Sequence, residues 1–135
     1  MSGTVIIGAS HSGVTLADLL RKGEYKEVIH IIDKDDYFPV ERPPLSKECI
    51  IGKKNFEELS FFSKSFYEVE NINIKYQAVE KVNFEKKILI TNDNQNHNYD
   101  SLLIATGSKN RQLSYDKENQ DIKDNILYLR NIEDS

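Results

Sequence analysis

Thr4-Val5-Ile6-Ile7-Gly8-Ala9-Ser10-His11-Ser12-Gly13-Val14-Thr15-Leu16-Ala17-Asp18-Leu19-Leu20 is the stretch from which the rest of the chain is read. Residues 4–7 are a β-branched run that stops at Gly8, as a parallel strand buried on both faces does. From Ser12 onward Val14, Leu16, Ala17, Leu19 and Leu20 recur at helical spacing, and Gly23 supplies the stop. A second β-branched run, residues 28–32, ends at Asp33. Strand, turn, helix and strand in that order predict a right-handed crossover in a parallel sheet, hence an α/β fold.

The turn itself carries a chemical signal. Gly8-Ala9-Ser10-His11-Ser12-Gly13 lies between a strand and a helix, where the dinucleotide fingerprint of Rossmann-like domains places its glycines. Gly8 allows the sharp turn, Gly13 allows close packing of helix on strand, and the helix N-terminus offers N–H groups and positive dipole to a pyrophosphate. The middle glycine is replaced by Ser10, whose side chain either crowds the site or donates its hydroxyl to a phosphate oxygen. Asp33, 20 positions beyond Gly13, stands where that fingerprint has an acid for the ribose hydroxyls, with Asp35 as the alternative if the strand end is shifted.

Beyond this unit all three prolines fall at Pro39, Pro43 and Pro44, which predicts a stiff exposed loop. Residues 45–51 read as a short helix, and residues 63–70 as another with Phe66 and Val69 inward. A period-two pattern at Ile72, Ile74, Tyr76, Val79, Val82, Ile88 and Ile90 predicts a small antiparallel hairpin or meander, with polar turns at 83–87 and 92–98. Residues 100–104 read as another buried strand, 108–124 as a polar loop and 126–129 as a last strand.

The composition narrows the function classes. A chain of 135 residues has room for one domain, and 18 Lys and Arg against 22 Asp and Glu leave a net charge of −4, which disfavours nucleic acid as a partner. The apolar runs are far below the ~20 residues of a membrane span, and the N-terminus lacks the pattern of a signal peptide, so the chain is expected in the cytoplasm. The single cysteine, Cys49, excludes an internal disulfide or dithiol pair; it is read as a helix residue rather than a redox thiol. His11 is read as a turn residue, His30 as a strand residue and His97 as part of a polar turn, and none has the spacing of a metal site.

Glu41-Arg42-Pro43-Pro44-Leu45-Ser46-Lys47 is the most specific motif in the chain. With the first strand and its glycine turn, Phe66-Tyr67, Leu102-Leu103-Ile104-Ala105-Thr106-Gly107 and Leu127-Tyr128-Leu129-Arg130, it resembles the N-terminal FAD-binding part of the ferredoxin reductase-like flavoproteins. That group lies within the pyridine nucleotide-disulfide oxidoreductase superfamily and includes ferredoxin, putidaredoxin and rubredoxin reductases. The resemblance covers nearly the whole chain.

The resemblance implies a Rossmann-like FAD/NAD(P)-binding fold and a set of cofactor-binding residues. Gly8, Ser10, His11, Ser12 and Gly13 form the glycine turn, while Asp33 and Lys34 lie at the adenosine end. Arg42, with Pro43 beside it, meets the FAD pyrophosphate, for which a planar guanidinium is suited. Lys47 reaches toward the isoalloxazine, where a cation stabilises the anionic reduced flavin. Val79 meets the adenine through its backbone, and Ala105, Thr106 and Gly107 line the adenosine and pyrophosphate.

The implied activity is an FAD-dependent NAD(P)H oxidoreductase that passes electrons to a ferredoxin- or rubredoxin-like acceptor. Residues 1–107 would be the FAD-binding portion and 108–135 a connection toward an NAD-binding domain. After the first turn no pair of the six glycines makes a second dinucleotide fingerprint, so that domain and the later FAD segment of the family are not expected here. The isolated chain is therefore not expected to turn over, and apolar surface left open predicts self-association into a homo-oligomer. Two other readings stay open: a non-catalytic module for ADP, FAD or NAD, and a structural domain using the same fold without flavin.

Overall fold

β1 (Thr4–Ile7) is buried along its whole length because it is covered on both faces and flanked by a strand on each side. In the computed structural model, which describes residues 3–113 and 125–135, it is followed by α1 (His11–Lys22), β2 (Ile29–Asp33), α2 (Lys64–Val69) and β3 (Ile72–Tyr76). Then come β4 (Val79–Asn83), β5 (Ile88–Thr91), β6 (Asn96–Asn98) and β7 (Ser101–Ile104), with 3-10 turns at Pro43–Ser46, Phe56–Leu59 and Ile132–Asp134. Packing divides the chain into two compact units, one of Met1–Val40 with Ser60–Thr106 and one of Glu41–Leu59 with Gly107–Ser135.

The first unit holds a parallel sheet in the order β3-β2-β1-β7, as the strand-helix-strand pattern predicts. Successive residues of β1 point to opposite faces, so Ile6 joins Val14 and Ala17 of α1, Ile29, Ile31 and Tyr67 in one core, while Val5 joins Ile32, Leu89 and Tyr99 in another. An antiparallel meander, β4-β5-β6, covers this second face. The fold is α/β and Rossmann-like, with a small antiparallel sheet added.

Several local expectations are corrected. The period-two residues 72–76 do not start the meander: they form β3 at the edge of the parallel sheet, where one buried end and a half-exposed remainder mimic hairpin alternation. The polar stretch 92–98 contains β6, which buries His97 opposite Leu89. Residues 45–51 are a 3-10 turn followed by further turns, so Cys49 is a half-buried turn residue rather than a helical one. In α2 Tyr67 is the buried residue and Phe66 packs against the same core as expected, while Val69 is 81% exposed. β7 lies at the sheet edge with Ile104 exposed, and residues 126–129 form no strand. Residues 108–113 have no regular structure, and the rest of the predicted 108–124 loop lies outside the described residues.

The end of α1 also differs in detail. Gly23 keeps φ −83°, and the left-handed residue is Glu24 at φ 61°. Its N–H donates to Arg21 O at 3.0 Å and that of Tyr25 to Leu20 O at 2.9 Å, the paired bonds that close a helix C-terminus.

The core between the two sheets contains polar groups. His30 pairs with Val5, Lys75 with Ile32 and His97 with Leu89, so all three face the second core. Burial, then the Lys75 charge, holds both imidazoles below the ordinary histidine value, although Asp93 pulls His97 the other way. A histidine held neutral in the fold binds its proton more readily when unfolded, so stability is full above pH ~6.5 and falls as pH drops from there toward the lowered folded values. Thermal denaturation between pH 7.5 and 5.5 should show this decline, and His30→Gln with His97→Gln should flatten it; an unchanged slope would refute the assignment.

Candidate functional site

The glycine turn is shaped by two close approaches of backbone to backbone. Gly8 has φ 112°, and a Cβ there would lie 2.3 Å from the Ala105 carbonyl oxygen; a Cβ on Gly13 would lie 2.0 Å from the Gly8 carbonyl oxygen. Only glycine fits either place. The turn thus sits at the C-terminal end of β1, with β2 on one side and β7 on the other, where Gly8 N–H donates to Ile32 O and Ala105 N–H to Ile7 O, both at 2.8 Å. In open parallel sheets that crevice between diverging connections is the usual ligand position.

Ser10 is the N-cap of α1, extended at φ −102°, and its side chain makes no capping bond. The first helical hydrogen bond runs from Val14 N–H to Ser10 O at 3.0 Å, so the N–H groups of His11, Ser12 and Gly13 precede the helical ladder. No acid stands in the first turn, which leaves the positive end of the helix dipole uncompensated by the helix itself. His11 and Ser12 are exposed, and the His11 ring rests edge-on against Phe61 at 4.7 Å between centroids.

Asp33 closes β2, half-buried beside the turn. One carboxylate oxygen, Oδ2, accepts from Ala9 N–H; the other, Oδ1, accepts from Asp35 N–H at 3.0 Å. Lys34 is exposed, with Nζ 3.9 Å from Asp35 Oδ1, and Asp35 Oδ2 accepts from the Tyr37 hydroxyl at 3.0 Å. Ala105 is half-buried against the first core and Thr106 is exposed. Val79 opens β4 with its side chain against the second core, and an irregularity of the β4–β5 register falls between Val79 and Lys81. The structure therefore brings together the glycine turn, Asp33 and Ala105 in the first unit.

The second unit holds the rest. Arg42 precedes the 3-10 turn Pro43–Ser46, in which Pro44 and Leu45 are buried while Pro43 stays exposed; Lys47 ends it, exposed, with its N–H donating to Pro44 O at 3.0 Å. The Arg42 guanidinium donates to Arg130 O at 3.4 Å. Arg130 in turn crowds Gly107, where φ is 68° and a Cβ would lie 2.9 Å from Nη2. Arg42, Gly107 and Arg130 thus form one cluster, which a Ser135 hydroxyl bond to Leu45 O at 2.9 Å and an Arg130 N–H bond to Asp134 Oδ2 at 2.8 Å help to hold. Arg130, which the sequence marks only as part of a domain junction, is the partner that the structure gives Arg42. Among the described residues no group of three metal-ligating side chains occurs, and no helix is long and apolar enough to cross a membrane.

Comparison with known proteins matches residues 2–135 to the model of the pyridine nucleotide-disulphide oxidoreductases. The chain belongs to that family. The rubredoxin-NAD(+) reductase of Pseudomonas putida is 30% identical over 132 residues, 97% of this chain and 34% of the relative. Putidaredoxin reductase of Pseudomonas putida is also 30% identical, over 97% of this chain and 31% of its own length. Among solved structures, the covalent complex of putidaredoxin reductase with putidaredoxin superposes with TM-score 0.89 at 30% identity, covering 98% of this chain and 32% of that one. The chain thus spans about a third of the length of the curated relatives it matches. Its resemblance to rubredoxin and ferredoxin reductases, expected from the proline motif, is borne out.

Proposed function

We propose that this chain holds FAD for an NAD(P)H-dependent reductase whose electrons go to a ferredoxin- or rubredoxin-like acceptor. The observation that carries the reading is the bare backbone at Gly8 and Gly13, set at the mouth of a helix with no acid in its first turn. A side chain at either glycine would collide with neighbouring backbone and force the turn apart, and the N–H groups that the turn leaves ahead of the helical ladder suit a pyrophosphate. The site therefore fits a dinucleotide.

Within this reading His11, Ser12 and Gly13 offer N–H groups to phosphate oxygens, with the Ser10 hydroxyl beside them. Asp33 and Lys34 stand at the adenosine end, and Val79 offers its backbone to the adenine. Ala105, Thr106 and Gly107 line the adenosine and pyrophosphate side. Arg42, beside Pro43 and with Arg130 as its neighbour, has the planar guanidinium suited to charge-assisted bonds with a pyrophosphate. Lys47 places a cation toward the flavin ring. Bound FAD would supply acceptance of one hydride, with its two electrons, and release of those electrons one at a time. The relatives named as reductases are chains about three times as long, so the share proposed for these 135 residues is cofactor holding and not complete turnover.

A titration of the chain with FAD, ADP and NADH, followed by flavin absorbance and fluorescence, tests the reading. FAD is expected to bind more tightly than ADP. Arg42→Ala should weaken FAD about tenfold, the loss of one charge-assisted interaction. Failure of the chain to bind either FAD or ADP would refute the proposal, and unchanged FAD affinity in both Arg42→Ala and Arg130→Ala would refute the arginine assignment. Binding of ADP as tight as FAD would favour the second reading, a nucleotide module that grips adenosine alone.

A further inference from the structure

Asp33 is surrounded by the protein's own backbone. Its Oδ2 accepts from Ala9 N–H in the middle of the glycine turn, its Oδ1 accepts from Asp35 N–H at 3.0 Å, and its main-chain carbonyl accepts from Gln77 N–H at 2.7 Å beyond β3. The neighbouring residue of the turn is tied to the same strand end, since Gly8 N–H donates to Ile32 O at 2.8 Å. Gly8 and Ala9 are thus both fastened to the end of β2, one through a carbonyl and one through a carboxylate.

This matters because the turn's conformation is not held by the helix. Ser10 makes no side-chain capping bond, and the helical ladder starts only at Val14 N–H. An unheld Ala9 peptide is free to rotate, and its rotation would redirect the N–H groups that follow it. A carboxylate is the strongest acceptor available for that N–H. It also closes the 34–36 turn through the second oxygen, so one side chain sets the positions of two loops that border the crevice.

We propose that Asp33 is a positioning residue: it acts on a dinucleotide through the Ala9 peptide, by holding the glycine turn, and not by accepting the ribose hydroxyls. The inference rests on the nucleotide-binding reading above, and it assigns that site's acid a role different from the one that spacing alone suggests.

The test compares ADP with 2′,3′-dideoxy-ADP, which lacks the hydroxyls a ribose acceptor would need. Asp33→Ala is expected to weaken both ligands by the same factor, about tenfold, because the turn is loosened for each. Asp33→Asn, which keeps an acceptor oxygen for Ala9, should recover most of that loss. A factor that disappears with the dideoxy ligand would overturn the proposal, for it would place the carboxylate on the ribose.

A ligand-free measurement keeps the two readings separable. In the amide spectrum, the Ala9 and Asp35 protons should both shift and exchange faster with solvent in Asp33→Ala than in the wild-type chain. If they do so while no nucleotide binds, the functional reading fails and the turn-holding role stands; if the Ala9 proton does not respond, the positioning role fails whatever the ligands do.

Discussion

Gly13→Ala is expected to abolish dinucleotide binding and to cost about 3 kcal/mol or more of stability, the upper end for an overpacked position. The reason is that the obstacle is backbone. The added methyl would lie 2.0 Å from the Gly8 carbonyl oxygen and 3.1 Å from Ile6 Cγ2, and the former cannot rotate out of the way as a side chain could. Relief requires α1 to move off β1, which opens the core formed by Ile6, Val14 and Ala17 and displaces the turn at the same time. Gly23→Ala serves as the control, because its methyl would sit 3.3 Å from the Leu19 carbonyl oxygen at an ordinary negative φ. Urea denaturation with FAD titration of both variants reads the two effects. A Gly13→Ala chain with wild-type midpoint and affinity would mean that the strand-turn-helix geometry is not what binds.

What was legible in the sequence was local. The residues from Thr4 to Asp33 announce strand, turn, helix and strand because apolar period and glycine placement are set within a few positions of one another, and the structure has them in that order. Partners distant in the chain left no such trace. Arg130 joins Arg42 across 88 positions, and nothing in its own neighbourhood marks it as a partner of Arg42. Asp33 was found by spacing, yet spacing says only that an acid lies near the turn, not that its two oxygens accept from Ala9 and Asp35. His97 sat in a run of asparagines that reads as solvated, and its burial comes from the meander pairing that places it opposite Leu89. β3 is open to the same misreading, since a half-exposed strand at the edge of a parallel sheet carries polar residues between its apolar ones as a hairpin strand does.

Arg21→Ala should lower the stability of the chain by about 3 kcal/mol, a fall of roughly 10 °C in Tm, for a residue remote from the glycine turn. Arg21 stands in the last turn of α1 and reaches four backbone carbonyls: Glu70 at 2.5 Å, Tyr25 at 2.6 Å, Glu27 at 2.9 Å and Asn71 at 3.0 Å. Glu70 and Asn71 end α2, where carbonyls lack helical partners, and Tyr25 and Glu27 lie on the connection into β2. One guanidinium therefore satisfies the end of α2 and the connection into β2, with the Tyr25 ring 6.0 Å from it. Arg21→Lys keeps the charge but not the planar fork, so it should recover less than half of the loss. Nucleotide affinity should change little in either variant, because Arg21 lies at the far end of a 12-residue helix from the turn. Thermal denaturation separates the explanations: a lysine variant as stable as wild type would show that charge at the helix end suffices, and an alanine variant within about 0.5 kcal/mol of wild type would show that water replaces the four bonds at no cost.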